Sequence, residues 1–240
     1  MTGRSLMPGR ARYFKKVLSV EPASFIGYWP LWEGSGTKAE DISGKARHGT
    51  HVGVTLGQPG IGDGRTSSLY DGSLDYTNIY SPALAAAFNG AEGTLLIWAK
   101  VANAGVWTDG TLRVLVDLQG GTDRIYIDRT ATNNQLEFKY DAGATETIIT
   151  DTSLAATTGW FCLALSWSKS GDAVKAYISG AQVGTTQTGL GTWTQVLNTS
   201  FCIIGAYNVA PNYVWSGTLA HDALWSKALT ATQIAYLSRV

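Results

Sequence analysis

Cysteine is scarce in this sequence, with only Cys162 and Cys202 among 240 residues. There is no CxxC pair and no cluster of histidine and cysteine, which excludes a zinc site of the usual kind. Both cysteines lie in apolar, strand-like runs, WFCLALSW and SFCIIGAY. We predict that they are buried free thiols that pack as small apolar side chains, with a disulfide as the alternative.

Charged residues are also few, at 15% of the chain against an average of about a quarter. No apolar run approaches the roughly 20 residues that a membrane-spanning helix requires. The N-terminal segment lacks the features of a secretory signal peptide, because its basic residues continue to Lys16 and no long apolar run follows before Glu21. These absences predict a protein that is made in the cytoplasm and has no membrane partner.

Glycine and tryptophan are plentiful, with 28 and 9 residues. From Phe25 onward, short runs rich in β-branched and aromatic residues alternate with clusters of Gly, Asn, Asp and Ser, as in successive antiparallel strands. Strands are predicted near 25–31, 50–56, 75–80, 94–101, 112–118, 123–129, 135–140, 145–150, 160–168, 173–178, 183–187, 200–206 and 216–225. So many short strands predict an all-β, two-sheet antiparallel sandwich in one domain.

Local signals add detail to this sandwich. In GWFCLALSWS, alternation predicts that Leu163, Leu165 and Trp167 face the core and that the residues between them face outward. AYISGAQVG predicts a hairpin with a tight turn at Gly180. SPALAAAF predicts a short helix capped by Ser81, and LTATQIAYL predicts a closing helix that begins with a capping box.

Six sequence blocks resemble, in order, the laminin G-like domains of the concanavalin A-like jelly-roll superfamily. The blocks are FIGYWPLWEGSGTKAEDISGKARHGTHVG, LYDGSLDYTNI, TLLIWAKV, GWFCLALSW, VKAYISGAQVG and FCIIGAYNVAPNYVWSGTLAHDALWSKALTATQIAYL. They extend over residues 25–240, and the resemblance implies that this whole stretch is a jelly roll. The superfamily includes lectins, adhesive modules, glycoside hydrolases and virion surface proteins, so the fold alone does not choose the function.

Signals for catalysis are absent from the sequence. The glucanases that this chain resembles carry E-x-D-x-E on one strand face, and no such triplet occurs here. None of the six glutamates has a carboxylate two residues away on the same strand face. The three histidines, His48, His51 and His221, accompany no GxSxG motif. We therefore predict that the protein is not an enzyme and requires no cofactor.

Calcium is the one metal that the resemblance implies, because laminin G-like domains often hold this ion with acidic side chains and loop carbonyls. The matching residues are Asp41 in EDISGKARHG and Asp222 in AHDALW. The alternative is that Asp41 makes an Asx-type turn and that Asp222 hydrogen-bonds the backbone. Lys45 and Arg47, in the same loop as Asp41, favour this alternative because they would repel a cation.

Carbohydrate binding needs aromatic rings on loops with polar groups beside them. Trp107, Trp193, Tyr213 and Trp215 lie in segments rich in Gly, Thr or Asn, and we predict them as carbohydrate-binding residues. The alternative is that these rings cap the ends of the hydrophobic core.

Residues 1–24 are predicted to form an extended basic N-terminal arm that binds a partner. Five basic residues, Arg4, Arg10, Arg12, Lys15 and Lys16, precede the first acidic residue, whereas the rest of the chain has a formal charge of −5. Tyr13 and Phe14 provide apolar anchors between these charges. The acidic body argues against nucleic acid as the partner.

Two functions are compatible with these features. The first is a non-catalytic structural or adhesive protein of a virus particle, a phage head decoration or tail-associated subunit, which docks onto neighbouring virion subunits through its arm. Its location would be the virion, and host-surface glycans would be a second partner. The second is a soluble or secreted carbohydrate-binding lectin module, which predicts that the aromatic rings named above are exposed and grouped at one end of the sandwich.

Overall fold

The computed structural model of the protein describes residues 13–240, which form sixteen β-strands and three α-helices. The strands are β1 (Phe25–Trp29), β2 (Lys38–Ala39), β3 (Gly49–Val52), β4 (Thr55–Pro59), β5 (Thr66–Asp71), β6 (Tyr76–Asn78), β7 (Glu92–Val101), β8 (Arg113–Gly120), β9 (Asp123–Arg129), β10 (Leu136–Ala142), β11 (Thr145–Asp151), β12 (Phe161–Ser168), β13 (Ala173–Ile178), β14 (Ala181–Gln187), β15 (Cys202–Ile204) and β16 (Ser216–Trp225). The helices are α1 (Tyr13–Ser19), α2 (Pro82–Ala87) and α3 (Ala231–Leu237), and Pro22–Ser24 and Ala104–Trp107 form 3₁₀ turns.

The strands form two antiparallel sheets of eight strands each, as the two-sheet prediction requires. Sheet A has the order β14-β13-β12-β7-β16-β5-β4, and β1 pairs with the second half of β16. Sheet B has the order β11-β10-β9-β8-β15-β6-β3-β2. Strands that are distant in the chain lie side by side in both sheets, so the sandwich is closed by long-range pairing.

The main hydrophobic core lies between the two sheets. Leu163, Leu165 and Trp167 point into it from β12, as alternation predicts. Opposite them, Ile127 of β9 and Phe138 of β10 contribute from sheet B. The side chains that fill the interior of the sandwich are therefore every second residue along each strand.

A second hydrophobic cluster covers the outer face of sheet A. Cys162 and Ala164 of β12 belong to this cluster and are buried beneath helices, as is Trp98 of β7. Ala164 and Ser166 point away from the main core, as predicted. Both are nevertheless buried. The reason is that α1 and α3 pack their apolar sides on this face.

The two predicted helices and the predicted hairpin are confirmed in detail. The Ser81 hydroxyl accepts a hydrogen bond from the Leu84 N–H at 3.0 Å and caps α2. Thr230 and Gln233 form the reciprocal capping box of α3. Gly180 has φ +89° in the β13–β14 turn, a conformation that glycine adopts without steric cost. Both cysteines are free and buried, as predicted.

Short or irregular strands escaped the sequence prediction. The run predicted at 50–56 is two strands, β3 and β4, separated at Gly53 with φ +75°. β2 and β5 were not predicted, because β2 has two residues and β5 carries the polar sequence TSSLYD. Ser67 and Ser68 of β5 are buried and donate hydrogen bonds to backbone carbonyls, so these polar residues are satisfied within the sheet.

The prediction of an extended arm is wrong for residues 13–24, which form α1 and a 3₁₀ turn. Tyr13 is buried on the chain's own sheet A: its hydroxyl accepts from Trp98 Nε1 at 2.8 Å and donates to the Leu237 carbonyl at 2.6 Å. Phe14 packs edge-on against Trp32. Apolar residues at positions 13, 14 and 17 give the short helix a side that the sheet can bury.

Five predicted arm residues remain to be placed. Lys15 is exposed, and Lys16 is half-buried against α3. Arg4, Arg10 and Arg12 lie outside the described residues. None of the helices within residues 13–240 is long and apolar enough to span a membrane.

Candidate functional site

The two outer faces of the sandwich differ in what covers them. Helices α1 and α3 pack on the outer face of sheet A, and α2 contributes to the core between the sheets. On the outer face of sheet B, Ile203, Ala206 and Val214 form a small apolar cluster with Tyr76 and Val209. No helix of residues 13–240 belongs to that cluster. In contrast to sheet A, this face is covered in part by the loop between β15 and β16 and not by α1 or α3, and we call it the open face.

Three aromatic rings form a row on this open face. Phe201 precedes β15, and Tyr207 and Tyr213 lie in the loop between β15 and β16. The ring centroids are 5.3 Å apart for Phe201 and Tyr207 and 6.0 Å apart for Tyr207 and Tyr213. The loop is fixed to the sheet, because the Val114 N–H donates to the Tyr213 carbonyl at 2.7 Å. Tyr213 is 51% exposed, so a ligand can reach its ring.

An arginine joins this row to the strands below. The Arg124 guanidinium lies 3.7 Å from the centroid of the Tyr126 ring and 4.6 Å from that of Tyr207. Its Nε and Nη2 each donate to one oxygen of Asp117 at 2.9 Å. Because Arg124 Nη1 has no hydrogen-bond partner in residues 13–240, this nitrogen keeps its donors for solvent or a ligand.

Burial governs the ionisation of the carboxylate that holds Arg124. Asp117 is completely buried on β8, and desolvation raises the pKa of its carboxyl, whereas the adjacent Arg124 charge lowers it. A two-pronged ion pair of this kind fixes the guanidinium plane as well as its position. The arginine is thus held in place before any ligand arrives.

Two further acidic residues lie next to this arginine on the open face. Asp128 and Glu137 are direct cross-strand partners, and Glu137 accepts a hydrogen bond from the Tyr126 hydroxyl at 2.7 Å. Burial, together with the Glu137 charge, raises the pKa of Asp128 well above its usual range. Asp128 Oδ1 is buried and has no partner within the described chain. A glycosidase needs two carboxyl groups that both reach the substrate, and Asp128 is only 2% exposed.

Three of the four aromatic residues predicted for carbohydrate binding are core residues. Trp107, Trp193 and Trp215 are buried, and the first two donate their indole N–H to the carbonyls of Thr157 and Gln195. The prediction that these rings are exposed is wrong. Gly, Thr and Asn surround them because tight turns lie there, and each indole fills the space beneath its turn. Only Tyr213 is exposed as predicted.

The two predicted calcium ligands are not part of an oxygen cage. The Asp41 carboxylate accepts backbone N–H groups from Tyr28, Ser43 and Arg47 at 2.9–3.0 Å, which fits the predicted Asx-type turn. Both oxygens of Asp222 are buried without a hydrogen-bond partner among the described residues, and burial raises the pKa of this carboxyl well above its usual range. Calcium prefers six to eight oxygen ligands, including ionised carboxylates, so these two residues do not fit the ion.

No alternative metal cluster replaces them. Within residues 13–240, no group of three or more His, Cys, Asp or Glu side chains could hold a metal ion. The predicted backbone hydrogen bond of Asp222 is also not observed, because this side chain points into the interior beside Trp29, its cross-strand partner.

A buried histidine lies beneath α1 on the other side of the molecule. His221 occupies a bulge of β16 with φ +55°, and its Nδ1 lies 2.7 Å from the Tyr28 hydroxyl. On its other side, Nε2 lies 3.2 Å from Asp63 Oδ2. Burial lowers the pKa of His221, against the opposing effect of Asp63.

Comparison with known proteins identifies the family. A family model described as the concanavalin A-like lectin/glucanases superfamily matches residues 71–235, which is more than half of the chain. The chain belongs to this superfamily. A search of curated proteins found no match.

Solved structures share the fold of this superfamily member at low sequence identity. The receptor binding domain of botulinum neurotoxin C/D mosaic serotype has a TM-score of 0.70 and 12% identity over 90% of this chain and 51% of that one. The binding domain of Paraclostridial Mosquitocidal Protein 1 has a TM-score of 0.66, 12% identity, and coverage of 90% and 52%. Trypanosoma rangeli sialidase has a TM-score of 0.63, 12% identity, and coverage of 88% and 32%. The chain therefore spans about half the length of the toxin domains and 32% of the length of the sialidase chain. The likeness concerns the fold.

The sequence analysis of this superfamily member missed Arg124, Tyr126, Phe201 and Tyr207. One signal was present in β9, where the central residues RIYID alternate between polar or aromatic and aliphatic side chains. That alternation places Arg124, Tyr126 and Asp128 together on the face away from the core. Tyr207 and Phe201 come from a different part of the chain, and only the pairing of β15 with β8 brings them near Arg124.

Proposed function

We propose that this protein is a non-catalytic carbohydrate-binding domain whose ligand lies on the open face of sheet B. The observation that carries the proposal is the row of Phe201, Tyr207 and Tyr213 beside a fixed Arg124. Sugars present apolar ring faces and hydroxyl groups, and a site for them combines aromatic surfaces with a few well-placed polar groups.

The polar groups around this row match sugar hydroxyls. Arg124 offers donors at Nη1. Glu137, which is half-buried on β10, adds carboxylate oxygens that accept hydrogen bonds. A donor and an acceptor therefore lie near the aromatic row, as sugar hydroxyl groups require.

Structural neighbours give this proposal independent support. The botulinum neurotoxin domains similar to this chain are named receptor binding domains, and the mosquitocidal protein region is named a binding domain. Binding without catalysis also agrees with the inaccessibility of Asp128 described above. The sialidase resemblance covers a third of that enzyme and carries no argument for hydrolysis.

The test is a glycan array followed by calorimetry with the strongest hit. We expect Tyr213→Ala and Tyr207→Ala to weaken binding by about tenfold or more, as for other truncated aromatic anchors. Tyr236→Ala is the matched control, because Tyr236 is equally exposed, at 50%, but lies on α3. An array without hits, or equal effects of Tyr213→Ala and Tyr236→Ala, would refute the proposal.

The virion role predicted from the sequence, with its virion location and neighbouring subunits as partners, stays a prediction with less support. Tyr13, Phe14 and Lys16, three of its predicted docking residues, contact the chain's own fold. Its remaining predicted docking residues are Lys15 and the arginines at 4, 10 and 12. Co-purification with virus particles, compared between the full chain and a variant with these four residues changed to Gln, tests that role.

A further inference from the structure

A cleft of about 510 Å³ lies on the opposite side of the molecule from the open face. Tyr13 and Lys16 of α1, the Gly62–Gly64 loop, Tyr236 of α3 and Val240 line it. Its volume is within the range of about 300 to 1,000 Å³ that is usual for small-molecule sites. All the lining residues lie outside residues 71–235, the part matched by the family model.

One basic residue, Lys16, lines this cleft. Three more basic residues are next to lining residues in the sequence: Lys15 precedes Lys16, Arg65 follows the glycine loop, and Arg239 precedes Val240. None of these four forms a salt bridge within the described part of the chain. The Arg65 guanidinium lies over the rings of Phe14 and Trp32.

One acidic residue, Asp63, lines the same cleft. Its side chain is only 1% exposed and lies 3.2 Å from His221, so its carboxylate is directed toward the interior. The Asp63 Oδ1 oxygen also accepts the Arg65 N–H at 3.0 Å. The charged side chain that a ligand meets at the cleft surface is therefore Lys16, whose ammonium group donates one hydrogen bond to the Arg239 carbonyl and has two further donors.

The remaining walls of the cleft are aromatic and open. Tyr13 forms the floor of the cleft, because its hydroxyl is occupied by Trp98 and Leu237 and its ring is buried against Trp98 and His221. Lys16 Nζ lies 4.4 Å from the centroid of the Tyr236 ring. Side-chain atoms added at Gly62 or Gly64 would meet no other atom within 4 Å, so space remains above the loop.

We propose that this cleft binds a small organic anion, with one carboxylate or phosphate group attached to an apolar body. The anionic group pairs with Lys16, and the apolar body packs against the exposed side chains of Tyr236 and Val240. Arg239 and Lys15 add to the positive potential around the entrance and increase the rate of association. This site is independent of the carbohydrate-binding function proposed above.

The test measures binding of naphthalene-2-carboxylate and 2-naphthyl phosphate to the full chain by calorimetry. The uncharged control ligand is naphthalene-2-carboxamide, which has the same apolar body. We expect both anions to bind at least about tenfold more tightly than the amide, because hydrogen bonds to charged groups are worth about 1.5–3 kcal/mol. We also expect the anions to bind more weakly at high salt.

Variants separate this site from the open face. Lys16→Gln should weaken anion binding by about tenfold, whereas Lys175→Gln should leave it unchanged, because Lys175 lines a different groove on β13. Tyr213→Ala should also leave anion binding unchanged. Equal binding of the amide and the anions, no binding of either anion, or equal effects of Lys16→Gln and Lys175→Gln would overturn the proposal. None of these outcomes bears on glycan binding, so the two proposals fail separately.

Discussion

At the scale of single residues, the buried His221 has the clearest consequence for stability. It is completely buried between Tyr28, Tyr13 and Asp63, which lie on three different segments of the chain. Asp63 is the one acidic group against it. Although burial alone would raise the pKa of Asp63, its contact with His221 lowers that pKa, so Asp63 stays ionised to lower pH than usual.

Acidification should therefore destabilise the protein below the usual pKa of histidine, about 6.5. The folded state holds His221 with a lowered pKa, so the unfolded state binds more protons as the pH falls through this range. Thermal unfolding between pH 7.5 and 5 should show a midpoint that falls with pH. His221→Asn, whose side chain tolerates the positive φ, should flatten this dependence, and the exposed His48→Asn should not. Equal slopes for the two variants would contradict this explanation.

The sequence predicted helix caps and tight turns correctly but not the exposure of aromatic rings, and the reasons are physical. Ser81, Thr230 and Gly180 were correct because caps and tight turns depend on a few adjacent residues. The exposure of Trp193 was wrong, because a ring on a loop turns inward or outward according to packing from distant segments, here Phe88. Tyr213 is exposed, as predicted. Its neighbour Tyr207 was overlooked, because its place in the aromatic row also depends on contacts with distant segments.

At the scale of elements, the helices depend on the sheet beneath them. Helices α1 and α3 have seven residues each, too short to be stable alone, and each is held by its apolar side on sheet A. The residues that face outward from sheet A at this position are themselves small or apolar, such as Ala164 and Ala220. A strand that is apolar on both sides, as β12 is, was the sequence signal that something covers sheet A.

The β13–β14 turn provides a sharp test of this packing. A Cβ at Gly180 would lie 2.9 Å from Ala235 Cα of α3, whereas a Cβ at Gly189 would meet nothing within 4 Å. Both glycines have positive φ, +89° and +80°, so Ala at either position costs about 1–2 kcal/mol in backbone strain. Gly180→Ala should lower the free energy of unfolding by about 1–3 kcal/mol more than Gly189→Ala, measured by urea denaturation. Equal losses would mean that α3 moves away freely.

At the scale of the whole molecule, the two outer faces of the sandwich are covered differently. Helices α1 and α3 cover sheet A and line the cleft, whereas sheet B carries aromatic rings and a fixed arginine. The sandwich class and most strands could be predicted, because alternation with a period of two is a local property. The sequence could not predict which face is open, because that depends on where α1 lies. The basic residues in and around α1 suggested an extended arm instead.

Calcium should contribute little to the stability of the whole domain. Asp41 is saturated by three backbone N–H groups, and Asp222 is a buried acid with a raised pKa. A site filled at a hundredfold excess over its dissociation constant would add about 2.7 kcal/mol and raise the melting temperature by several degrees. We expect no such rise when calcium replaces EDTA in a thermal unfolding experiment. A rise that disappears in Asp41→Asn would contradict this view.

The hydrogen bond from the Tyr13 hydroxyl to the Leu237 carbonyl places positions 224 residues apart side by side. Tyr13 and Leu237 consequently meet at one corner, on the helix-covered side of the sandwich. A linker, tag or surface attached after Val240 is thus joined on the side of α3, and the aromatic row of sheet B faces the other way.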